Sequence, residues 1–577
     1  MSNQARERFV EAVRNHAQGD LRQAAAKYQS LLDEYPRRES ILINLSAVYL
    51  ELREFSPRLS QLINQLRSID NPMADLNVGT YLFETGRKEE ALQCFEAAFK
   101  KNPENEAVLK SMAYCLFTTG KTQDAGHFAE TLAAKTNSEI DWGRAKYYYA
   151  ASCNWQKYRE LELKQSTYPF FDISRNTEEH KNLESARGYT AQIPQQNNPK
   201  HQGFTYLDEN RKIRIGYLCG EFKEHATLKL LISVLEYHDA AGFEVFYYDN
   251  GSSDTSNLRK RFEATSGKLV DIRFLSDEEV VARACSDKVD ILINLNGFFG
   301  NARNQVFFTR AAPIQVSFLG YPGTLAHNNI DYIIADRETI PRDNQEFYAE
   351  KVVYLPSCYQ PNDDKRQVPH KVSRSKFSIP TEKFVFCCLN NNYKITKEIF
   401  DAWISILDAT EESILLLLGD NPDAVANIKR YVTPTGQLGK IFFTPRLATN
   451  DYLELLGACD LFLDTYPYNA HTTGTDSLWA STPILTIQGR TFPSRVGSSL
   501  IKRAGLDAHE FITPSVNTYI AKAIALRDSP WVIAKARREL RAKVLTGGFV
   551  DMQQYTREYE QLLRKLHDEY IEDQQEK

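Results

Sequence analysis

The stretch CDLFLDTYPYNAHTTGTDSLW, Cys459–Trp479, decides how this chain is read. It begins as an apolar run, Leu461-Phe462-Leu463, and meets Asp464. It crosses a polar turn holding Pro467, Asn469 and His471, then enters a segment opened by Thr472-Thr473-Gly474-Thr475-Asp476. That is the order of a strand, a loop and a helix N-terminus. In an open α/β sheet, small polar groups beyond a strand's carboxyl end line the crevice where ligands bind. The free N–H groups and dipole of a helix N-terminus favour a phosphate there. Taken alone, the stretch is better read as threonines that merely cap a helix. The rest of the chain shifts that balance.

Strand-like runs of the same texture surround it. FVFCCLN from Phe384, SILLLLGD from Ser413, KIFFTP from Lys440, LFLDTY from Leu461 and PILTI from Pro483 form one set. An earlier set holds IRIGYL from Ile213, FEVFYYD from Phe243, VDILINL from Val289, IQVSFLG from Ile314, IDYIIAD from Ile330 and KVVYLP from Lys351. Helix-length polar segments such as DEEVVARACSD separate several of them. Alternating strand and helix predicts a doubly wound parallel sheet. The pattern pauses across VPHKVSRSKFSIP and restarts, so two successive Rossmann-like lobes facing a cleft are expected. The lobes span 211–375 and 376–545. A tail over 546–577 carries Tyr555, Tyr559, Leu562 and Leu566 at helical spacing and is expected to pack across a lobe, with EYIEDQQEK frayed beyond it.

The first part of the chain is helical and repetitive. From Pro72, small Gly79, then Ala91, Phe95, Ala98 and Pro103, define a register of about 34 residues with a closing proline, the tetratricopeptide pattern. Ala12, Ala24, Tyr28 and Pro36 fall in the same slots one register earlier, and Ala113 and Ala125 one later. The unit around Ser46 and Ala47 is degenerate, with Arg58 where a small residue is expected. Three to four helix pairs to about residue 135, capped by a helix from Trp142, give a repeat domain over 1–164. Such an array presents a concave surface to partners. The polar stretch 165–210, with Pro194, Asn197, Asn198 and Pro199, reads as a connecting region. The predicted fold class is therefore a tetratricopeptide α-solenoid followed by a pair of α/β lobes.

Composition narrows the function. The 577 residues, 42% hydrophobic and 25% charged, suit a soluble multidomain protein. A net charge of −5 argues against a nucleic-acid binder driven by bulk electrostatics. Apolar runs stop at a strand's length, as in Ile414–Leu418, far below the roughly 18 residues of a membrane span. The start, MSNQARERFVEAV, has no apolar signal core, and nine scattered cysteines without a C-x-x-C pair fit reduced thiols, so a cytoplasmic setting is expected. Gly216 and Gly220 are followed by Glu221-Phe222, which is not a G-x-G-x-x-G dinucleotide turn, and a P-loop is absent as well. There is no D-x-D triplet and no His/Cys/carboxylate cluster at metal-ligand spacing, so no metal and no cofactor are expected.

Several short polar stretches follow strands. His225 lies in CGEFKEHAT, where a surface histidine is the plainer reading. Asp254 lies in SSDTSNLRKR. Gly320, Tyr321 and Pro322 form a turn in LGYPGT, and Lys394 in LNNNYKI stands where a phosphate could use a point cation.

Together with NLNGFFGNAR, APIQVSFLGYPGT, DYIIADRETIP and LDTYPYNAHTTGTDSLWASTPILT, these strings resemble the protein O-GlcNAc transferase family over nearly the whole chain, with wording like its bacterial members. The resemblance implies tetratricopeptide repeats before a two-lobed GT-B glycosyltransferase. It implies inverting, metal-independent transfer of a sugar from a nucleotide-sugar, UDP-GlcNAc first, to serine or threonine of a protein acceptor held along the repeats. By the resemblance, Lys394 binds the diphosphate, Thr472 and Thr473 hydrogen-bond the phosphates, His471 lies near sugar and diphosphate, and Asp476 holds the ribose hydroxyls. Gly320, Tyr321 and Pro322 line the sugar and acceptor pocket, and His225 and Asp254 match positions proposed to handle the acceptor proton. The chain departs from better-known members at Asn391, where they carry Gln, and at Thr449 and Tyr452, where they carry Lys and His. Tyr452 could still stack on a base. These departures keep UDP-glucose transfer to asparagine and GDP-fucose transfer to serine or threonine open as alternatives. Outside the enzymes, a repeat scaffold with inactive lobes remains the rival.

Overall fold

The computed structural model describes residues 1–193, 211–369, 372–549 and 551–576. Pro194, Asn197, Asn198 and Pro199 of the expected connecting region lie outside the described residues. The chain divides into two compact units, Met1–Tyr148 with Arg273–Ser276, and Tyr149–Ile272 with Asp277–Lys577.

In the first unit four helical hairpins follow one another: Asn3–Ala17 with Leu21–Glu34, Glu39–Glu51 with Pro57–Leu66, Pro72–Glu84 with Lys88–Lys101, and Glu106–Thr118 with Thr122–Thr136. The slots found in the sequence are the packing points. Ala12, Ala24, Tyr28, Ala91 and Ala98 are fully buried. A Cβ at Gly79 would stand 2.6 Å from the Phe95 ring, so that position needs glycine for the two helices to touch. In the degenerate hairpin Arg58 points outward, and Leu59, Leu62 and Ile63 fill the contact that alanines make elsewhere.

The second unit holds two parallel sheets. In the first lobe β1 (Ile213–Cys219), β2 (Phe243–Asp249), β3 (Lys268–Asp271), β4 (Ile291–Asn294), β5 (Ile314–Ser317), β6 (Tyr332–Ala335) and β7 (Lys351–Tyr354) run in the order β3-β2-β1-β4-β5-β6-β7. In the second lobe β8 (Phe384–Cys388), β9 (Ser413–Leu418), β10 (Ile441–Thr444), β11 (Leu461–Leu463), β12 (Ile484–Ile487) and β13 (Ile512–Thr513) run in the order β10-β9-β8-β11-β12-β13. Every pairing is parallel. Buried on both faces, these strands read as continuous apolar runs rather than alternating ones. Strands β3 and β13 are absent from the sequence reading. Both are edges, of four and two residues, and carry little apolar signal. Strand order reverses between β1 and β4 and between β8 and β11, and ligands of such sheets bind at those switch points.

Three expectations change. Residues 149–164, grouped with the repeats by sequence, fold with the second unit, where Trp155 Nε1 donates to Ile395 O at 3.0 Å. The described part of the connecting region is not irregular. It forms helices Pro169–Asp172 and Glu179–Thr190, tied by Asp172, which accepts from Ser166 Oγ at 2.6 Å, Tyr168 N at 2.9 Å and Ser185 Oγ at 2.5 Å. The final helix, Met552–Gln575, continues through the segment expected to fray. It lies on the first lobe, with Tyr559 stacked on Phe318 at 5.3 Å, and it buries Leu563 where the spacing had picked Leu562.

Candidate active site

The loops after β8 and β11 flank the second lobe's switch point and are tied to each other. Asn390 Nδ2 donates to Thr465 Oγ1 at 2.8 Å, and Thr396 Oγ1 donates to Tyr466 O at 3.2 Å. Lys394 ends the short turn Asn392–Lys394 and is 8% exposed. Its Nζ donates to Asn469 O at 2.9 Å and lies 3.8 Å from the centre of the Tyr468 ring. Burial pulls its pKa down to about 8, against the opposing pull of Asp464. The result is a cation kept short of partners, which an arriving anion would satisfy.

Asp464, at the end of β11, shapes this loop. Its Oδ1 accepts from Thr465 N at 2.8 Å and Ala470 N at 2.6 Å, and its Oδ2 from Thr486 Oγ1 at 2.7 Å. Burial pushes its pKa up to about 7, against those bonds and the charge of Lys394. His471 packs on Tyr468 at 4.7 Å. Burial and Lys394 hold its pKa well below the ordinary value, so the ring is neutral.

His471 is also the N-cap of the Thr472–Trp479 helix, and it makes no side-chain cap bond. The threonines are therefore not the cap, which removes the plainer reading of this stretch. The first intrahelical bond is Thr475 N to His471 O, so the earlier N–H groups of the turn, at Thr472, Thr473 and Gly474, have no intrahelical acceptor. Tyr452 lies beside the same turn, and burial and Asp476 raise its pKa well above the ordinary value. Asp476 is engaged: Arg366 Nη1 donates to its Oδ1. Asn391, by contrast, is exposed at the rim.

The first lobe brings His225 to the end of β1. It is the N-cap of the Ala226–Tyr237 helix, and its Nδ1 accepts from Thr227 N at 3.2 Å. A neutral ring so placed carries its proton on Nε2. Burial lowers its pKa, with Glu221 opposing, so neutral is its state near pH 7. Asp254 is engaged at both oxygens, by Glu224 N at 2.7 Å and by Ser256 N and Oγ at 3.0 and 2.6 Å. Burial alone would raise its pKa, but those bonds outweigh it and the net shift is downward. Gly320 approaches Leu295 O so closely that a Cβ would lie 1.9 Å from it. Tyr321 is buried against Phe298 at 5.2 Å with its hydroxyl donating to Pro169 O at 3.3 Å, and Pro322 is buried beside it. These last two shape the turn from behind.

A run of ring contacts joins the two corners. His225 stacks on Phe299 at 5.3 Å, Phe299 meets Phe170 at 5.7 Å, Phe170 meets Tyr393 at 5.9 Å, and Tyr393 meets Tyr468 at 6.3 Å beside His471. Sequence reasoning missed Phe170, Phe299, Tyr393, Tyr468, Asp464 and Arg366. Asp464 and Tyr468 were inside the opening stretch, and their strand-end position was the available signal. Phe170 was hidden in a stretch read as linker.

A family model described as Glycosyl transferase family 41 matches residues 190–374 and 370–559. The chain belongs to that family. A tetratricopeptide repeat model matches residues 76–139. Among curated relatives, the probable UDP-N-acetylglucosamine–peptide N-acetylglucosaminyltransferase SEC of Arabidopsis thaliana is 33% identical over 372 residues, covering 63% of this chain and 38% of the relative. The UDP-N-acetylglucosamine–peptide N-acetylglucosaminyltransferase of Caenorhabditis elegans is 25% identical over 478 residues, covering 63% of this chain and 41% of the relative. The chain thus spans about two fifths of the length of these curated relatives. A solved structure of a mutant O-GlcNAc transferase from Thermobaculum terrenum shares the fold, with a TM-score of 0.62 at 21% identity over 99% of this chain and 100% of that one. The motif resemblance to O-GlcNAc transferases and the repeat-plus-GT-B architecture both hold. Among the described residues, no helix is long and apolar enough to cross a membrane.

Proposed function

We propose that this protein is an inverting, metal-independent protein glycosyltransferase that moves GlcNAc from UDP-GlcNAc to serine or threonine of a protein acceptor. The observation that carries the reading is the meeting of a buried, partner-poor Lys394 with an uncapped helix start at the second lobe's switch point, opposite His225 at the first. The names of the curated relatives support the donor and the acceptor class, and the repeats support an acceptor bound as an extended chain. All nine cysteines are free thiols, which supports a cytoplasmic setting.

In the reaction the acceptor oxygen attacks the anomeric carbon and the bond to the diphosphate breaks, with inversion. Negative charge grows on the departing diphosphate. Lys394 and the N–H groups of Thr472 and Thr473 are donors fixed where that charge develops, and one such donor is worth about 3–4 kcal/mol. They do the charge-neutralising work that the proposal requires. Asp476 takes a ribose hydroxyl on Oδ2 while Arg366 holds Oδ1. Tyr452 offers its ring to the base.

The proton handling differs from the expectation for His225 and Asp254. With Nδ1 engaged by Thr227, His225 presents an N–H, so it donates a hydrogen bond rather than taking a proton. Asp254 is engaged at both oxygens and positions the Glu224–His225 loop. An alcohol loses its proton late in such a displacement, when the departing diphosphate has become the strongest base in the site. The acceptor proton goes there.

The test is a donor screen. The protein is incubated with UDP-GlcNAc, UDP-glucose or GDP-fucose and cell protein, and products are mapped by peptide mass before and after mild alkaline β-elimination. Alkali-labile HexNAc on serine or threonine is the expected result. Alkali-stable hexose on asparagine, or fucose transfer alone, replaces the donor and acceptor assignment. No transfer and no hydrolysis of any donor sinks the reading in favour of a scaffold.

A further inference from the structure

Between the two lobes runs a strap, Tyr359–Gln367, just before the pause in the strand–helix pattern. It is anchored on the first lobe by Asp363, which accepts from Arg261 Nη1 and Nη2 at 2.7 and 2.9 Å. On the second lobe it is anchored at the start of the Thr472–Trp479 helix, where Gln360 Nε2 donates to Thr475 Oγ1 at 2.5 Å. Its last contacts are Gln367, whose O accepts from Trp479 Nε1 at 3.1 Å, and Arg366. The side chain is 8% exposed, lies 4.8 Å over the Trp479 ring, and donates from Nη1 to Asp476 Oδ1. Arg366 Nε and Nη2 are buried and have no hydrogen-bond partner among the described residues.

That arrangement is unusual for a structural ion pair. Guanidinium–carboxylate pairs are frequently bidentate, and buried N–H groups are as a rule hydrogen-bonded. Here a single N–H meets a single oxygen. The planar group is held by the Trp479 face rather than by a second bond, a stacking contact that arginine's plane makes where lysine offers a point charge. The outcome is a carboxylate whose Oδ1 is fixed and whose Oδ2 is left for a ligand hydroxyl. Neutralising Asp476 also removes a negative charge that would repel a diphosphate held at the same helix start.

We propose that Arg366 is the positioning residue of the nucleotide site: it aims Asp476 at the ribose hydroxyls and makes that carboxylate compatible with the neighbouring diphosphate. The inference rests on the reading of the second lobe as a UDP-sugar site. It assigns ribose selectivity to a residue of the inter-lobe strap, outside the loops that hold the diphosphate.

The experiment is calorimetric titration of the full chain and of Arg366→Met with UDP, uridine and 2′,3′-dideoxy-UDP. The wild-type protein is expected to bind UDP at least tenfold more tightly than the dideoxy analogue. In Arg366→Met that ratio is expected to fall below threefold, while the ratio of UDP to uridine affinity falls less. A merely structural arginine would weaken all three ligands together and leave the ribose ratio intact, and that result overturns the inference. If Arg366→Met does not fold, as judged by near-ultraviolet circular dichroism, Arg366→Lys is titrated the same way. It keeps the charge but not the plane, so its ribose ratio should fall by about threefold, and an unchanged ratio overturns the inference. A wild-type protein that binds UDP without preferring its ribose also overturns it and leaves the proposed function standing. A wild-type protein that binds no UDP removes the proposed function itself, and this inference with it.

Discussion

The two lobes hold their site residues in opposite ways. In the second lobe Lys394, Asp464 and His471 are packed among rings and backbone, and burial displaces the pKa of each. In the first lobe His225 caps a helix through Nδ1 and Asp254 closes a loop through both oxygens, so these atoms are already engaged locally. One corner carries charge under tension; the other carries shape. The difference separates two tasks. A donor with a fixed diphosphate can be met by a rigid, desolvated site. An acceptor that varies from protein to protein is better met by an N–H donor and a wall of rings, which tolerate change.

The largest effect should come from the corner under tension. Lys394→Met is expected to lower kcat by about 100- to 1,000-fold, since it removes a donor from the developing charge. Thermal unfolding should stay cooperative, because the lysine makes one backbone hydrogen bond and one ring contact. Retained rate would reduce Lys394 to a packing residue and erase the contrast between the lobes.

The pH profile sharpens the same contrast. Lys394 acts as a cation and has a pKa of about 8 in the free protein, so kcat/KM should fall as pH rises through about 8. The limb in kcat should lie higher, because the bound diphosphate favours the charged form. No acid limb from His225 is expected, since protonating its ring leaves the Nε2–H in place. A kcat/KM that climbs in proportion to hydroxide on the acid side and levels off below the ordinary imidazole range would restore His225 as the base.

Within the first lobe, His225→Ala should cost about 10- to 100-fold in kcat/KM, the range of one hydrogen bond to a charged partner. Asp254→Asn should cost about fivefold, because the loop keeps some of its bonds and loses the charge that strengthens them. If Asp254→Asn proved the more damaging of the two, Asp254 would be a reacting group after all.

How much of this could be read beforehand follows from local physics. The sheets were legible because strands buried on both faces are unbroken apolar runs, as in Ser413–Leu418. The edges β3 and β13 were not, being too short to carry a pattern. Lys394 and His471 were legible because each follows a strand that borders the switch point. The ring wall was not, because Phe170 stands on a four-residue helix with no period to detect. Arg366 was not, because its stretch has no element of its own and takes its meaning from Asp476, 110 residues away. The engagement of His225 by Thr227 is a matter of one backbone angle, which sequence does not record.

The smallest effect is expected where the chain departs from its better-known relatives. Thr449 opens the Thr449–Ala458 helix of the second lobe, and its hydroxyl touches the first. It donates to Glu224 Oε1 at 3.2 Å and accepts from Lys229 Nζ at 3.3 Å, while Lys229 and Glu224 pair at 2.9 Å. Those two side chains are 29% and 42% exposed, so water screens the network and its worth is about 0–1 kcal/mol. Thr449→Val keeps the volume and removes the hydroxyl. It should raise KM for the donor by at most about fivefold and leave kcat unchanged, because the bridge holds lobes and not reacting atoms. Its effect should also fade in high salt, unlike that of Lys394→Met, whose site is buried. A loss comparable to that of Lys394→Met would mean that the contact between lobes, rather than the desolvated corner of one lobe, limits the reaction.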